Sequence, residues 1–202
     1  TKIREPLRRI SETHEHFGVL GVLRFVTNQL LVRGASLNVM HLISLDPAEI
    51  RDQAVDSSFE QRLLTSSEVR RHARSPANGI APEFADRVDG GFDVCFGAVH
   101  GDRLANYGWY ALDSIEAEHA AGTPIGLPPG VAYMYKLFTH PDFRGRRLNG
   151  ACMAGAATAL AVRGVERIVA LVHWSNEASL RSCEHLGFRR VGLLVVGPQG
   201  PI

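Results

Sequence analysis

Apolar residues along this chain alternate between runs with the period of strands and runs with the period of helices. Residues 92–99 and 105–111 are nearly continuous apolar stretches on either side of His100-Gly101-Asp102-Arg103. The glycine and aspartate between them make a β-hairpin the economical reading. Residues 131–139, VAYMYKLFT, carry aromatic and branched side chains throughout and form the strongest strand signal. Residues 148–163 are alanine-rich, with Met153, Leu160 and Val162 as larger apolar positions and Gly164 as a left-handed stop. A helix this rich in small side chains can lie close to a sheet. Residues 166–173, ERIVALVH, read as a second apolar strand, so strand, helix and strand together predict a right-handed parallel crossover. Asn176 is placed to cap a further helix that ends at Leu186 with Gly187 as its stop, and residues 191–196 read as a last strand.

The first half is less sharply patterned. Residues 6–31 show apolar positions at helical spacing, and residues 37–45, ending before Asp46-Pro47, read as a strand. Residues 58–73 are polar and helix-permitting, with Phe59, Leu63 and Leu64 as an apolar stripe. Residues 75–91, with prolines and glycines, predict a loop holding a short helix. Residues 113–130 read as a loop that covers something, and its Asp113, Glu116, Glu118 and His119 either receive a cationic amine or are a solvated acidic loop.

Composition narrows the class. At 202 residues, with 45% hydrophobic and 21% charged residues, the chain suits one ordinary globular domain over residues 1–202. The apolar stretch over residues 17–32 is broken by Arg24, Asn28 and Gln29, so an amphipathic helix fits it better than a membrane span. A formal net charge of +1 argues against a broad nucleic-acid footprint, so any anion site must be local. Cys95, Cys152 and Cys183 form no paired motif, which points to a reducing, cytoplasmic setting. His14 and His16 lack partners at ligand spacing, and no metal site is expected.

One local concentration of charge stands out. FRGRRLNG, residues 143–150, sets Arg144, Arg146 and Arg147 at the start of the alanine-rich helix. A helix N-terminus offers unpaired N–H groups and about half a positive charge, so this turn is a natural anion seat. Gly145 allows close backbone approach, and the arginines add charge-assisted hydrogen bonds. The alternative is a solvated turn whose arginines bind nothing. Neither GxxxxGK[ST] nor a GxGxxG after a strand is present.

The segment THPDFRGRRLNGACM, residues 139–153, resembles the acyl-CoA-binding motif of the GNAT N-acyltransferase superfamily, in which [QR]-x-x-G-x-[GA] opens a helix after a strand. NEASLRSCEHLGF, residues 176–188, resembles the next motif of that family, N-x-x-A-x-x-x-Y-x-x-x-G-F. The resemblance implies an α/β (α+β) fold whose mixed central sheet, flanked by helices, splays between its fourth and fifth strands, here residues 131–139 and 166–173. Residues 1–91 then supply N-terminal helices and a first strand, and residues 92–202 the cofactor-binding core. By the same resemblance the backbone at Leu137, Phe138 and Thr139 meets the pantetheine arm. The segment Arg144, Gly145, Arg146, Arg147, Leu148, Asn149 and Gly150 meets pyrophosphate, and Asn176 contacts the cofactor. The implied donor is acetyl-CoA or another acyl-CoA, and the implied acceptor is an amine on a small molecule or a protein. No nucleic acid, membrane or metal partner is expected, and a homodimer is left open.

Two departures stand against the pattern: Arg147 and Asn149 occupy positions where the family has glycine or a small residue. The usual leaving-group tyrosine aligns with Cys183, and a frequent carboxylate base with Leu171. Acyl transfer to an amine needs a base and an acid. His173, on the same strand face as Leu171, is a candidate base or a hydrogen-bonded strand-end histidine. Cys183 is a candidate acid or a small buried hydrophobe. Tyr135, with Tyr133 on one strand face, is a candidate phenol donor or a core residue. The expected function is acetyl transfer from acetyl-CoA to a primary amine by direct attack. The alternatives are longer-chain transfer, including from acyl carrier protein, and an inactive acyl-CoA-binding module.

Overall fold

The structure is a computed structural model that describes residues 37–51, 53–116 and 124–197, with isolated positions outside these ranges. The helical segment expected over residues 6–31 lies outside the described residues apart from Leu23 and Thr27, which are helical, and Glu118 and His119 lie outside them too. Among the described residues, eight strands form one mixed sheet in the order β10-β9-β1-β8-β7-β4-β3-β2. These are β1 (Asn38–Leu45), β2 (Glu60–Leu64), β3 (Asp93–His100), β4 (Arg103–Ala111), β7 (Val131–Thr139), β8 (Arg167–His173), β9 (Arg189–Gly197) and β10 (Gly200–Pro201). A separate pair, β5 (Ser114–Glu116) and β6 (Pro124–Gly126), sits in the segment read as a covering loop.

The sheet is antiparallel except where β7 meets β8. That parallel pairing runs only through Val131↔Arg167, Ala132↔Ile168 and Tyr133↔Val169. Beyond it β7 stays on β4 as far as Thr139, while β8 stays on β1 as far as His173. The sheet therefore splays between the two strands that the resemblance implied. β1 lies inside the sheet, between β8 and β9.

The helical reading of residues 58–73 needs correction. Glu60–Leu64 is an edge strand on β3, and only Ser66–Ala73 is helical (α1). The polar residues Glu60, Gln61 and Arg62 suit a strand with one free edge. Thr65 marks the boundary with a capping box: its side chain accepts from the Glu68 N–H, and the Glu68 carboxylate accepts from the Thr65 N–H. With this strand counted, the two that part are the fifth and sixth of the large sheet in chain order.

Helices cover both faces. Leu148–Val162 (α3) and Glu177–Leu186 (α4) pack on one side, where Phe96, Tyr110, Met134 and Ile168 meet Cys152, Met153, Leu160, Leu180 and Cys183. On the other, Val69 of α1 and Ala85 of the short helix α2 (Phe84–Asp89) meet Cys95, Tyr107 and Trp109. Among the described residues no helix is long and apolar enough to cross a membrane.

The small residues of α3 set its distance from the sheet. A Cβ at Gly155 would stand 2.7 Å from Gln61 Oε1 and 2.8 Å from Phe96 Cζ. Alanine improves intrinsic helix propensity by about 1 kcal/mol, but overpacking against a buried ring costs about 1–3 kcal/mol. Gly155→Ala is therefore expected to destabilise the fold by about 1 kcal/mol. A lower urea midpoint with an unchanged m-value would show this.

Candidate functional site

β7 ends at Thr139, and the next residues build a loop pinned at two points. His140 Nδ1 accepts the Asp142 N–H at 3.3 Å at the head of a short 3-10 turn, Pro141–Phe143. Phe143 is buried beside Phe59 and His100, with ring centroids 5.9 and 5.7 Å away, and Arg103 pairs with Asp142. Leu148, also buried, is the second anchor. Between them Arg144, Gly145, Arg146 and Arg147 are exposed.

These residues line a cavity of about 340 Å³ together with Thr139, Phe143, Leu148 and Asn149. Gly145 has φ +79, and Arg147, the N-cap of α3, has φ +58 and ψ +17. Among the described residues nothing lies within 4 Å of a Cβ at Gly145, so glycine serves conformation there, not clearance. Arg147 is the only non-glycine with positive φ among the described residues. The left-handed to right-handed step from Arg147 into α3 turns consecutive N–H groups toward one side. The Arg147 side chain makes no capping hydrogen bond, and, as at the start of any α-helix, the first-turn amides of Leu148, Asn149 and Gly150 have no acceptor within the helix. Among the described residues no carboxylate lies within ion-pair distance of Arg144, Arg146 or Arg147, and Arg144 Nε donates to the Thr139 carbonyl at 3.4 Å.

β7 leads into this cavity through Thr139. His140 N–H donates to the Ala105 carbonyl at 2.9 Å, and the register pairs Thr139 with Asn106 and Leu137 with Gly108. By the antiparallel alternation, the main-chain polar groups of Leu137 and Thr139 face away from β4, toward the opening, while those of Phe138 face Tyr107. The Phe138 ring stacks on Tyr107, 5.3 Å between centroids.

The candidates for proton transfer are scattered. His173 ends β8 opposite Met40, exposed and on the face of Leu171, as predicted. Cys183 is buried on the core-facing side of α4, and burial pushes its thiol up to about 11. Tyr135 lies on the α1–α2 face, where its hydroxyl donates to Asp93 Oδ2 at 2.8 Å. Arg87 grips the same carboxylate at 2.6 and 3.0 Å. Burial, and then the Asp93 charge, raise the Tyr135 phenol well above its ordinary value. The Tyr133 and Tyr135 rings stack 6.4 Å apart, as their shared face implied. Asn176 caps α4, with its Oδ1 accepting from the Ser179 N–H at 3.2 Å, and Gly187 stops that helix at φ +110.

Sequence reasoning passed over Asn106. It is fully buried on β4, and its Nδ2 lies 2.7 Å from Thr139 Oγ1 and 3.5 Å from Asn149 Oδ1. An asparagine inside the apolar run LANYGWYA was the available signal, because that residue is depleted from strands.

The profile of the acetyltransferase (GNAT) family matches residues 65–188. An acetyltransferase of Photorhabdus laumondii is 39% identical over 54 residues, which are 27% of this chain and 38% of that protein. A GCN5-related N-acetyltransferase from Kribbella flavida superposes with a TM-score of 0.57 at 13% identity, covering 85% of this chain and 63% of that one. A GNAT-family structure from Novosphingobium aromaticivorans gives a TM-score of 0.51 at 20% identity, covering 80% of this chain and 63% of that one. At these identities the solved structures speak for the fold. The chain spans well under half of its curated relative and about three-fifths of these solved chains.

Arg147 supplies a direct test of the loop geometry. A left-handed conformation costs a non-glycine residue about 1–2 kcal/mol, and alanine retains that cost. Glycine removes it, at a smaller price in unfolded-state entropy. In ligand-free protein, Arg147→Gly is expected to be about 1 kcal/mol more stable than Arg147→Ala by chemical denaturation. Equal stabilities would contradict a left-handed N-cap.

Proposed function

The chain belongs to the acetyltransferase (GNAT) family, and on that premise we propose that it is an N-acyltransferase taking acetyl-CoA as donor and a primary amine as acceptor. The observation that carries this reading is the loop over residues 144–150. Open amides at a helix N-terminus and three exposed arginines stand there beside a strand edge left free by the splay. That arrangement suits a diphosphate joined to an extended amide-bearing arm. When bound, acetyl-CoA would bring a thioester-activated acetyl group.

The roles assigned to the chain follow from placement. Arg144, Arg146, Arg147 and the amides of residues 145–150 hold the diphosphate. The main-chain groups of Leu137 and Thr139 pair with the amides of the arm, Phe138 holds the β7 edge in place, and Asn176 fixes the start of α4 beside the opening. Catalysis by orientation then carries much of the rate. His173 is the proposed base for the amine proton, directly or through water. The burial of Cys183 and the grip of Asp93 on Tyr135 favour packing roles for those two. Asp113, just before β5, and Glu116, the last residue of β5, are the described members of the acidic segment that would receive a cationic acceptor. The retained arginines favour a CoA-linked donor over a carrier protein. All three thiols are free and buried, in keeping with a cytoplasmic setting.

Acetyl-CoA at about 100 times its Kd should stabilise the fold by about 2.7 kcal/mol, read as a raised Tm. Arg146→Ala should weaken that protection by about tenfold in Kd, the worth of one charge-assisted hydrogen bond. No thermal shift at about 1 mM acetyl-CoA would overturn the reading. With an acceptor found in an amine screen, His173→Gln should lower kcat by about 10²-fold or more and leave the thermal protection intact. An unchanged kcat would remove His173 from the chemistry.

A further inference from the structure

Asn106 is a costly residue where it stands. It lies inside a strand, fully buried, and its Oδ1 has no partner among the described residues. Its Nδ2 carries two hydrogens, and two oxygens stand close to it: Thr139 Oγ1 at 2.7 Å and Asn149 Oδ1 at 3.5 Å. Both Thr139 and Asn149 line the cavity of the arginine loop.

The direction of these hydrogen bonds has a chemical consequence. A threonine hydroxyl that accepts from Asn106 keeps its own hydrogen for another acceptor. An asparagine that offers Oδ1 to Asn106 has its Nδ2 on the opposite side of the amide. The register places Asn106 directly across from Thr139, in a pair whose side chains share a sheet face. We propose that the buried Asn106 amide is a positioning residue that sets Thr139 Oγ1 and Asn149 Nδ2 as hydrogen-bond donors to a diphosphate in the arginine-lined cavity. The inference rests on the reading that this cavity takes the diphosphate of an acyl-CoA. It also gives Asn149 a use at a position where the family pattern has a small residue: its side chain adds a donor to the seat.

The test is calorimetric titration of the full chain with inorganic pyrophosphate and, separately, with CoA. Asn106→Ala, Thr139→Val and Asn149→Ala are compared with the unaltered protein. Asn106→Ala is then repeated in the Thr139→Val/Asn149→Ala background. Each single substitution is expected to weaken pyrophosphate binding by about tenfold. In the doubly substituted background, loss of Asn106 should change binding by less than about twofold, because its targets are gone. A merely structural role would weaken binding by the same factor in both backgrounds, and that result overturns the proposal. So does unchanged pyrophosphate binding by a folded Asn106→Ala. Should Asn106→Ala fail to fold, the Thr139→Val/Asn149→Ala protein decides: undiminished pyrophosphate binding overturns the proposal, and a loss sustains it. If CoA binds and the substitutions are silent, the inference falls while the acyl-CoA reading stands. If pyrophosphate binds with the expected pattern and CoA does not bind, the inference stands and that reading falls. Binding of neither overturns both.

Discussion

The site depends on the short reach of one strand pairing. β7 and β8 share three register pairs and then separate, so among the described residues β7 has no strand beside that main-chain edge from Met134 onward. Backbone N–H and C=O groups need partners, and an edge facing an opening is a place where an extended ligand can supply them. The separation does not leave either wall loose. β4 holds β7 through Thr139, and β1 holds β8 through six consecutive pairs that end at Met40↔His173. The opening thus has two walls, each supported from outside.

The position of β1 follows from this demand. A β8 paired only to β7 would lose its partners where the two diverge, and the end of β8 carries His173. By filling the slot between β8 and β9, β1 keeps that end ordered, with the Trp174 N–H donating to the Val39 carbonyl at 3.1 Å. None of this was visible in the residues of β1. NVMHLISL says strand, but its choice of partner depends on residues more than 120 positions away.

What could be read from the chain was local. The cap at Asn176, the stop at Gly187, the tight turn at Gly101-Asp102 and the crossover through α3 are each dictated by a few adjacent residues, and the structure has them all. The reading failed where local preference was weak. EQRLL has no strand period of its own and is held as an edge strand by β3. Tyr135 could be placed on a face, but its engagement with Asp93, 42 residues earlier, was not predictable. Asn106 matters through Thr139 and Asn149, which only the folded sheet and helix bring to it.

The two departures from the family pattern acquire different physical meanings. At Arg147 the backbone is left-handed, so glycine in the family pattern is explained by conformation, and arginine holds the same geometry under strain. Strain of that kind persists only where the surroundings fix it. Here the surroundings are the buried anchors Phe143 and Leu148 and the start of a fifteen-residue helix. At Asn149 the backbone is ordinary helix, so conformation does not explain the pattern's small residue there. The Asn149 side chain turns its oxygen toward the buried Asn106 amide. One position keeps the loop shape by tolerating strain, and the other gains a buried partner for its side chain. Both leave every main-chain N–H of the loop in place, because neither introduces proline.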